Sequence, residues 1–288
     1  MIEQSIYEHL QSASELNILT QYSGKAAVFN QNAPTDTDPM WAAKPQYPRI
    51  VFAADWEHSA DRALGGTLSV DVFCQEQGTP PENIEPIVRN LLHGWFFSSG
   101  VETVAAQWVN SNYFTEPKNK IAGVTLTFAL LGFPKMTISP DVIARINAWT
   151  AVQFPQLSVI NQTELPPAWK PETGAAVYWR ISAIAPAGWI PDTYQTIWRT
   201  ASLRGHVFAP DIASVTQTAQ EIVCGLYAAK RLKKDHEAPV MVNTNNSIDP
   251  TADALRTGQM MVDATFGVIV HRVADQPLNH IYTDKIEV

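Results

Sequence analysis

Apolar residues fall along this chain in two rhythms, and the same succession of rhythms occurs twice. Ile2, Ile6, Leu10, Ala13 and Leu16 recur at three- and four-residue steps, which predicts an opening helix. A polar, proline-containing loop follows from Asn30 to Pro39. The short run Arg49-Ile50-Val51-Phe52-Ala53 is β-branched and aromatic and predicts a strand. A second strand runs from Thr67 to Gln75, with Leu68, Val70, Val72 and Cys74 on one face and Ser69, Asp71 and Phe73 on the other. Thr79-Pro80-Pro81-Glu82 then supplies a cap residue, early prolines and an early acid, the signature of a helix start. The helix it opens presents Ile84, Ile87, Val88, Leu91, Leu92 and Trp95 on one face. Two further strands are predicted at about 102–109 and 121–133.

The stretch from Pro134 to Ser139 reads as a boundary, after which the order repeats. Ser139-Pro140-Asp141 opens a helix with the stripe Ile143, Ile146, Val152 and Phe154. A loop with tryptophan and proline at 166–171 leads to a strand at 175–184, an insertion carrying Trp189 and Trp198, and a strand at 201–208. A helix at 211–230 and strands at 239–243 and 260–272 complete the half. Phe73 matches Phe208 and Ile87-Val88 matches Ile222-Val223, both at an offset of 135, while Thr127-Phe128 answers Thr265-Phe266. The expected fold is α+β, with two repeated units at 1–135 and 136–274 and a C-terminal tail at 275–288. Each unit is a mostly antiparallel sheet packed against helices, and the arrangement reads as a tandem duplication. Two such units predict buried positions at Leu91 and Val223 on the paired helices.

Composition narrows the function. Only 17% of residues are charged against 45% apolar, so much of the surface is neutral, as in a protein that buries surface against partners. A net charge of -8 argues against a phosphate-gripping nucleic-acid binder. The one cationic cluster, Lys230, Arg231, Lys233 and Lys234, stands at the predicted end of a helix, where cations complement the dipole. Cys74 and Cys224 have no CxxC spacing and read as small buried hydrophobes. Met1-Ile2-Glu3-Gln4 has no basic, then apolar, leader pattern, and no apolar run reaches the length of a membrane helix. The expectation is a protein that is soluble and intracellular at synthesis.

No nucleotide loop, nucleophile elbow or zinc motif is present, and no two of the seven histidines lie at helical spacing. The expectation is a non-enzyme with no catalytic residue, no cofactor and no metal. The stretch Asp55-Trp56-Glu57-His58 carries two carboxylates and a histidine, and it supports a remote hydrolase reading. Asp71 and His206 occupy matching positions on the outward side of the repeated strand, facing solvent or a partner. Of the nine tryptophans, Trp95, Trp149 and Trp179 belong with apolar stripes. Trp41 and Trp169 lie in equivalent loops before each unit's first strand, and serve as loop anchors or interface anchors. The interface candidates are therefore Trp41, Trp169, Asp71 and His206.

The opening Met1-Ile2-Glu3-Gln4-Ser5-Ile6-Tyr7 and Tyr47-Pro48-Arg49-Ile50-Val51-Phe52 resemble the tail completion, or tail terminator, proteins of tailed bacteriophages. Val70-Asp71-Val72-Phe73-Cys74, the helix that follows it and Thr127-Phe128-Ala129-Leu130-Leu131-Gly132-Phe133 extend that resemblance over about residues 1–133. The second half is similar to the family through its similarity to the first. The resemblance implies a virion structural protein, made in the host cytoplasm, that caps the tail tube as a ring and joins the tail to the head. A neck adaptor or tail tube subunit is the alternative role. Implied partners are further copies in a hexameric or pseudo-hexameric ring, the tail tube and sheath proteins, and a neck or head-completion protein. DNA only passes through the lumen, and no membrane is involved. Family members usually hold one unit, so the doubling here is a departure that leaves three or six copies open. Divergence of the halves at Asp71/His206 and at 189–198 favours six copies, with one half in the ring and the other decorating it.

Overall fold

A computed structural model describes residues 1–42, 44–57, 65–100, 102–163, 165–233, 240–243 and 246–270. The chain folds as an α+β protein in two similar units. His58 and the tail from 275 lie outside the described residues.

The first unit opens with α1 (Ile2–Ser12), whose Ile2, Ile6 and Leu10 are buried as the stripe requires. A small hairpin, β1 (Gln21–Tyr22) with β2 (Lys25–Ala26), precedes β3 (Val28–Asn30). β4 (Arg49–Trp56) and β5 (Gly66–Gln75) pair antiparallel, and α2 (Pro81–Leu92) follows. β6 (Phe96–Ser98), β7 (Thr103–Glu116) and β8 (Ile121–Gly132) complete the unit. Leu68, Val70, Val72 and Cys74 of β5 are fully buried against the helices, as the alternation predicts. β7 is longer than expected: with β8 it forms a hairpin whose outer end carries exposed Val109 and Tyr113. Thr79 does not cap α2. Pro80 holds the cap position, and no side chain bonds there.

The second unit begins with α3 (Val142–Gln153). Its cap is Asp141, whose carboxylate accepts the Ala144 N–H at 2.9 Å, so the helix starts two residues after the expected Ser139. Ile143 and Ile146 are buried, but Val152 points outward at 74% exposure. Then come β9 (Leu157–Val159), β10 (Ala168–Trp169), β11 (Ala175–Pro186) and β12 (Thr196–Phe208), the last absorbing Trp198. α4 (Ile212–Ala229), capped by Asp211, leads to β13 (Arg231–Leu232), β14 (Val240–Val242), β15 (Ser247–Ile248) and β16 (Met260–Ile269).

The two sheets have the same topology. The first reads β6-β7-β8-β5-β4-β3 and the second β13-β14-β16-β12-β11-β9. In each, the last strand named pairs parallel with its neighbour and the long central strands pair antiparallel. β5 and β12 match at the predicted offset: Leu68 corresponds to Leu203, Val72 to Val207 and Phe73 to Phe208, with the first two pairs facing their helices.

Two predicted equivalences shift. Phe128 lies opposite Leu68, so its counterpart is the residue opposite Leu203, which is Val262; Phe266 instead pairs with Arg199. Both phenylalanines are in corresponding strands and face the helices, but at different positions along them. On the helices, α2 buries Pro81, Ile84, Glu85, Val88, Leu91 and Leu92, with Leu91 buried as expected, and α4 buries Ala219, Ile222 and Leu226. Val223, matched in sequence to the fully buried Val88, is only half-buried. Cys74 is buried, which pushes its thiol up to about 11, whereas Cys224 is exposed on α4, contrary to expectation.

Candidate functional site

The most specific arrangement of side chains in this molecule is the seam between the two units. It starts from a strand that crosses over. β10 belongs to the second unit by chain order, yet it pairs antiparallel with β6 of the first, Ala168 opposite Phe97 and Trp169 opposite Phe96. The Ser98 N–H extends the ladder to the Pro167 carbonyl at 3.0 Å. The edge of the first sheet is thereby covered, as an unpaired edge requires.

Aromatic side chains from the outer faces of both sheets meet over this ladder. Phe96 packs edge-on against Trp169 at 4.9 Å and against Phe208 at 4.8 Å, and stacks on Phe133 at 5.3 Å. Phe133 meets Tyr178 at 5.1 Å. These rings join Ala105, Ile160, Leu165 and Ala176 in a buried cluster separate from either unit's own core. Polar bonds mark its rim: the Tyr178 hydroxyl donates to the Pro134 carbonyl at 2.8 Å, Asn161 Nδ2 to the Phe133 carbonyl at 3.1 Å, and an Arg256 guanidinium nitrogen to Gln107 Oε1 at 3.1 Å. Edge-to-face rings sharing one dry cluster couple the units more firmly than a flexible linker would.

The interface candidates separate. Trp169 is in the seam and 7% exposed. Trp41 is enclosed within its own unit. It is 2% exposed, in a nest of Tyr22 at 4.9 Å, Phe29 at 5.8 Å and the Arg49 guanidinium at 6.0 Å, and its indole N–H donates to the Thr35 carbonyl. It anchors its own loop. Asp71 does lie on the outer face, half-buried, where it accepts a short hydrogen bond from Thr125 Oγ1 at 2.6 Å.

His206 was expected at the surface and is fully buried. The chain between β15 and β16 folds over it. Its Nδ1 contacts the Ala254 carbonyl at 2.7 Å and its Nε2 meets Arg180 Nε at 3.0 Å. A carbonyl can only accept and a guanidinium can only donate, so the ring is neutral with its proton on Nδ1. Arg180 reaches on to the Arg256 and Thr257 carbonyls, and burial lowers its pKa. The outward position of the repeated strand has become a clamp for residues 254–257, beside the seam.

Chemistry is sparse elsewhere. Asp55 and Glu57 are exposed at the end of β4, and Trp56 donates its indole N–H to Glu102 at 3.3 Å. Among the described residues no three metal-ligating side chains come together, and no helix is long and apolar enough to cross a membrane. Neither a scan against protein-family models nor a search of the curated proteins finds a match for this chain. The functional reading therefore stands on the seam and on what it leaves free. Sequence periodicity missed Phe96, Phe133, Tyr178 and Phe208 as interface residues. A signal was present: Phe73 and Phe208 put a large ring on the face of a strand that its own helices do not cover.

Proposed function

We propose that this chain is a structural subunit of a tailed-phage particle, a ring protein that closes the tail tube and joins it to the neck. The observation that carries the reading is the head-to-tail character of the seam. The first unit contributes the β6 edge with Phe96 and Phe133, and the second contributes β10 with the outer face bearing Tyr178 and Phe208. Two units of one topology that meet through different surfaces make a heterologous contact, which repeats until it closes as a ring or grows as a filament. The sequence resemblance of the first unit to tail terminators selects the ring. The reading requires no cofactor and no catalytic residue.

The seam also bears on copy number. If both halves occupy equivalent places, three chains give a pseudo-sixfold ring, and we propose this arrangement in place of a six-chain ring decorated by second halves. The halves still differ in what they project. The first extends the β7–β8 hairpin, with exposed Val109 and Tyr113; the second extends the β11–β12 hairpin, with exposed Ile184, Trp189 and Tyr194. Projections from different strand pairs suit contacts with the tube on one side and the neck on the other. The test is incubation of the purified chain with tail tubes that lack their end cap. Ring particles bound at one tube end support the reading. Filaments of the pure chain would assign it to the tube instead, and a monomer that never meets tubes would overturn it.

A further inference from the structure

Corresponding edges of the two sheets are treated differently. β6 and β13 hold the same place: each follows its unit's second helix and pairs antiparallel with the strand after it, β7 or β14. Phe97 and Leu232 both point into their helix-covered cores. One residue earlier stand Phe96 and Arg231, and opposite them Ala105 and Met241. In the first unit this edge is extended by β10 and covered by Trp169. In the second, β13 is the terminal strand of its sheet among the described residues.

At that matching place lies a cleft of about 650 Å³, lined by Trp189, Tyr227, Lys230, Arg231, Met241 and Asn243. Its lining combines aromatic and aliphatic side chains with two cations, and Trp189 and Tyr227 are 60% and 55% exposed. The complementary surface is on the first unit. The segment that covers β6 lies between the parallel edge strand β9 and the strand β11 it pairs with. The segment at the same point of the first unit lies between β3 and β4. There Asp36 and Met40 are exposed, the latter by 50%, and Asp38 is partly so. Trp41 holds this loop from beneath, and the Asp38 carboxylate fixes its turn by accepting the Met40 N–H at 2.8 Å.

We infer that the cleft at β13 and β14 receives the loop at 35–40 from a second copy of this chain, repeating between chains the contact that joins the units within one. Met40 enters the cleft, and Asp38 and Asp36, the latter also ion-paired with Arg49 of its own unit at 2.7 Å, meet Lys230 and Arg231. The inference rests on the head-to-tail ring reading and names the surface that closes it. Complementary charge around an apolar insert fixes register and speeds encounter.

The experiment uses the full-length chain followed by sedimentation velocity. The wild type is expected to sediment as a multi-chain particle. Lys230→Glu/Arg231→Glu should weaken self-association by at least about tenfold, with only a small drop in the thermal melt from the loss of two exposed cations at the C-terminal end of α4. Thr37→Lys, which adds an opposing charge to the loop and keeps both aspartates, should do the same. Mixed, the two variants retain one good cleft and one good loop between them and should form a two-chain complex and nothing larger. A Lys230→Glu/Arg231→Glu protein that assembles like the wild type overturns this interface but not the ring. A wild type that stays at 31.9 kDa at every concentration overturns the ring and the interface together.

Discussion

Trp179 on β11 lies directly across from Gly205 on β12, and its ring occupies the space where a Cβ at 205 would sit. A Cβ built there would come within 2.7 Å of the indole and 2.4 Å of Met260 Cε. The corresponding pair in the first unit is Phe52 opposite Val70. A larger aromatic in one copy is thus matched by loss of the facing side chain, which conserves core volume. Gly205→Ala should destabilise by about 1–3 kcal/mol through overpacking. Trp179→Phe/Gly205→Val, which recreates the first unit's pair, should recover part of that loss. Thermal melts of wild type and the two variants check this; a double variant no more stable than Gly205→Ala would break the equivalence.

The helix faces give a second test. Val88 on α2 and Ile222 on α4 are fully buried, whereas Val223 is half-buried. Val88→Ala and Ile222→Ala should each cost about 1–4 kcal/mol, and Val223→Ala clearly less than Ile222→Ala. Urea denaturation ranks them. Equal losses at 222 and 223 would mean that the packed face of α4 is wrongly placed.

His206 and Arg180 clamp the chain around 254–257. His206→Phe keeps a ring but removes both hydrogen bonds, leaving the Ala254 carbonyl and the Arg180 Nε each short of a partner. The loss should be about 1–3 kcal/mol, concentrated locally. Hydrogen exchange should show faster exchange at Thr257 and Gly258, whose amides bond the Asp253 carbonyl, with the β4–β5 core unchanged. Unaltered protection there would remove the clamp.

His9 makes stability depend on pH. Burial lowers its pKa below the ordinary 6.5, outweighing the opposing effects of the Leu91 carbonyl, which its Nε2–H reaches at 2.8 Å, and of Glu15. The unfolded chain therefore takes up the proton first. The stabilisation is complete above pH 6.5 and is lost as pH falls from there through the folded-state value. The melting temperature should fall between about pH 7.5 and about pH 5.5, and His9→Gln should flatten that dependence. A slope identical to that of the wild type would assign the effect to other groups.

Assembly state is the test with the widest reach. Light scattering of the isolated particle should give about 96 kDa, three chains of 31.9 kDa, rather than the roughly 190 kDa of six. The higher mass would restore a six-chain ring in which the second units form a separate layer.

Period and composition determined the local elements of this protein. The alternation of Leu68, Val70, Val72 and Cys74, the stripes of α1 and α2, and the recurrence of that order after Pro134 all follow from side-chain spacing, because a strand or an amphipathic helix buries its apolar face wherever it lies. That reading sufficed for the α+β class and the two units. Tertiary structure alone decided the alignment between units and the fate of single side chains. Phe128 and Phe266 stand four positions apart in register because strand pairing is set by long-range ladders that no local period records. Trp41 and Trp169 hold similar places in the chain, yet one is enclosed by its own loop and the other by the neighbouring unit. His206 alternates outward like Asp71 but is buried because residues distant in sequence fold over it. Such contacts depend on which surfaces meet across the fold, so no window of neighbouring residues contains them.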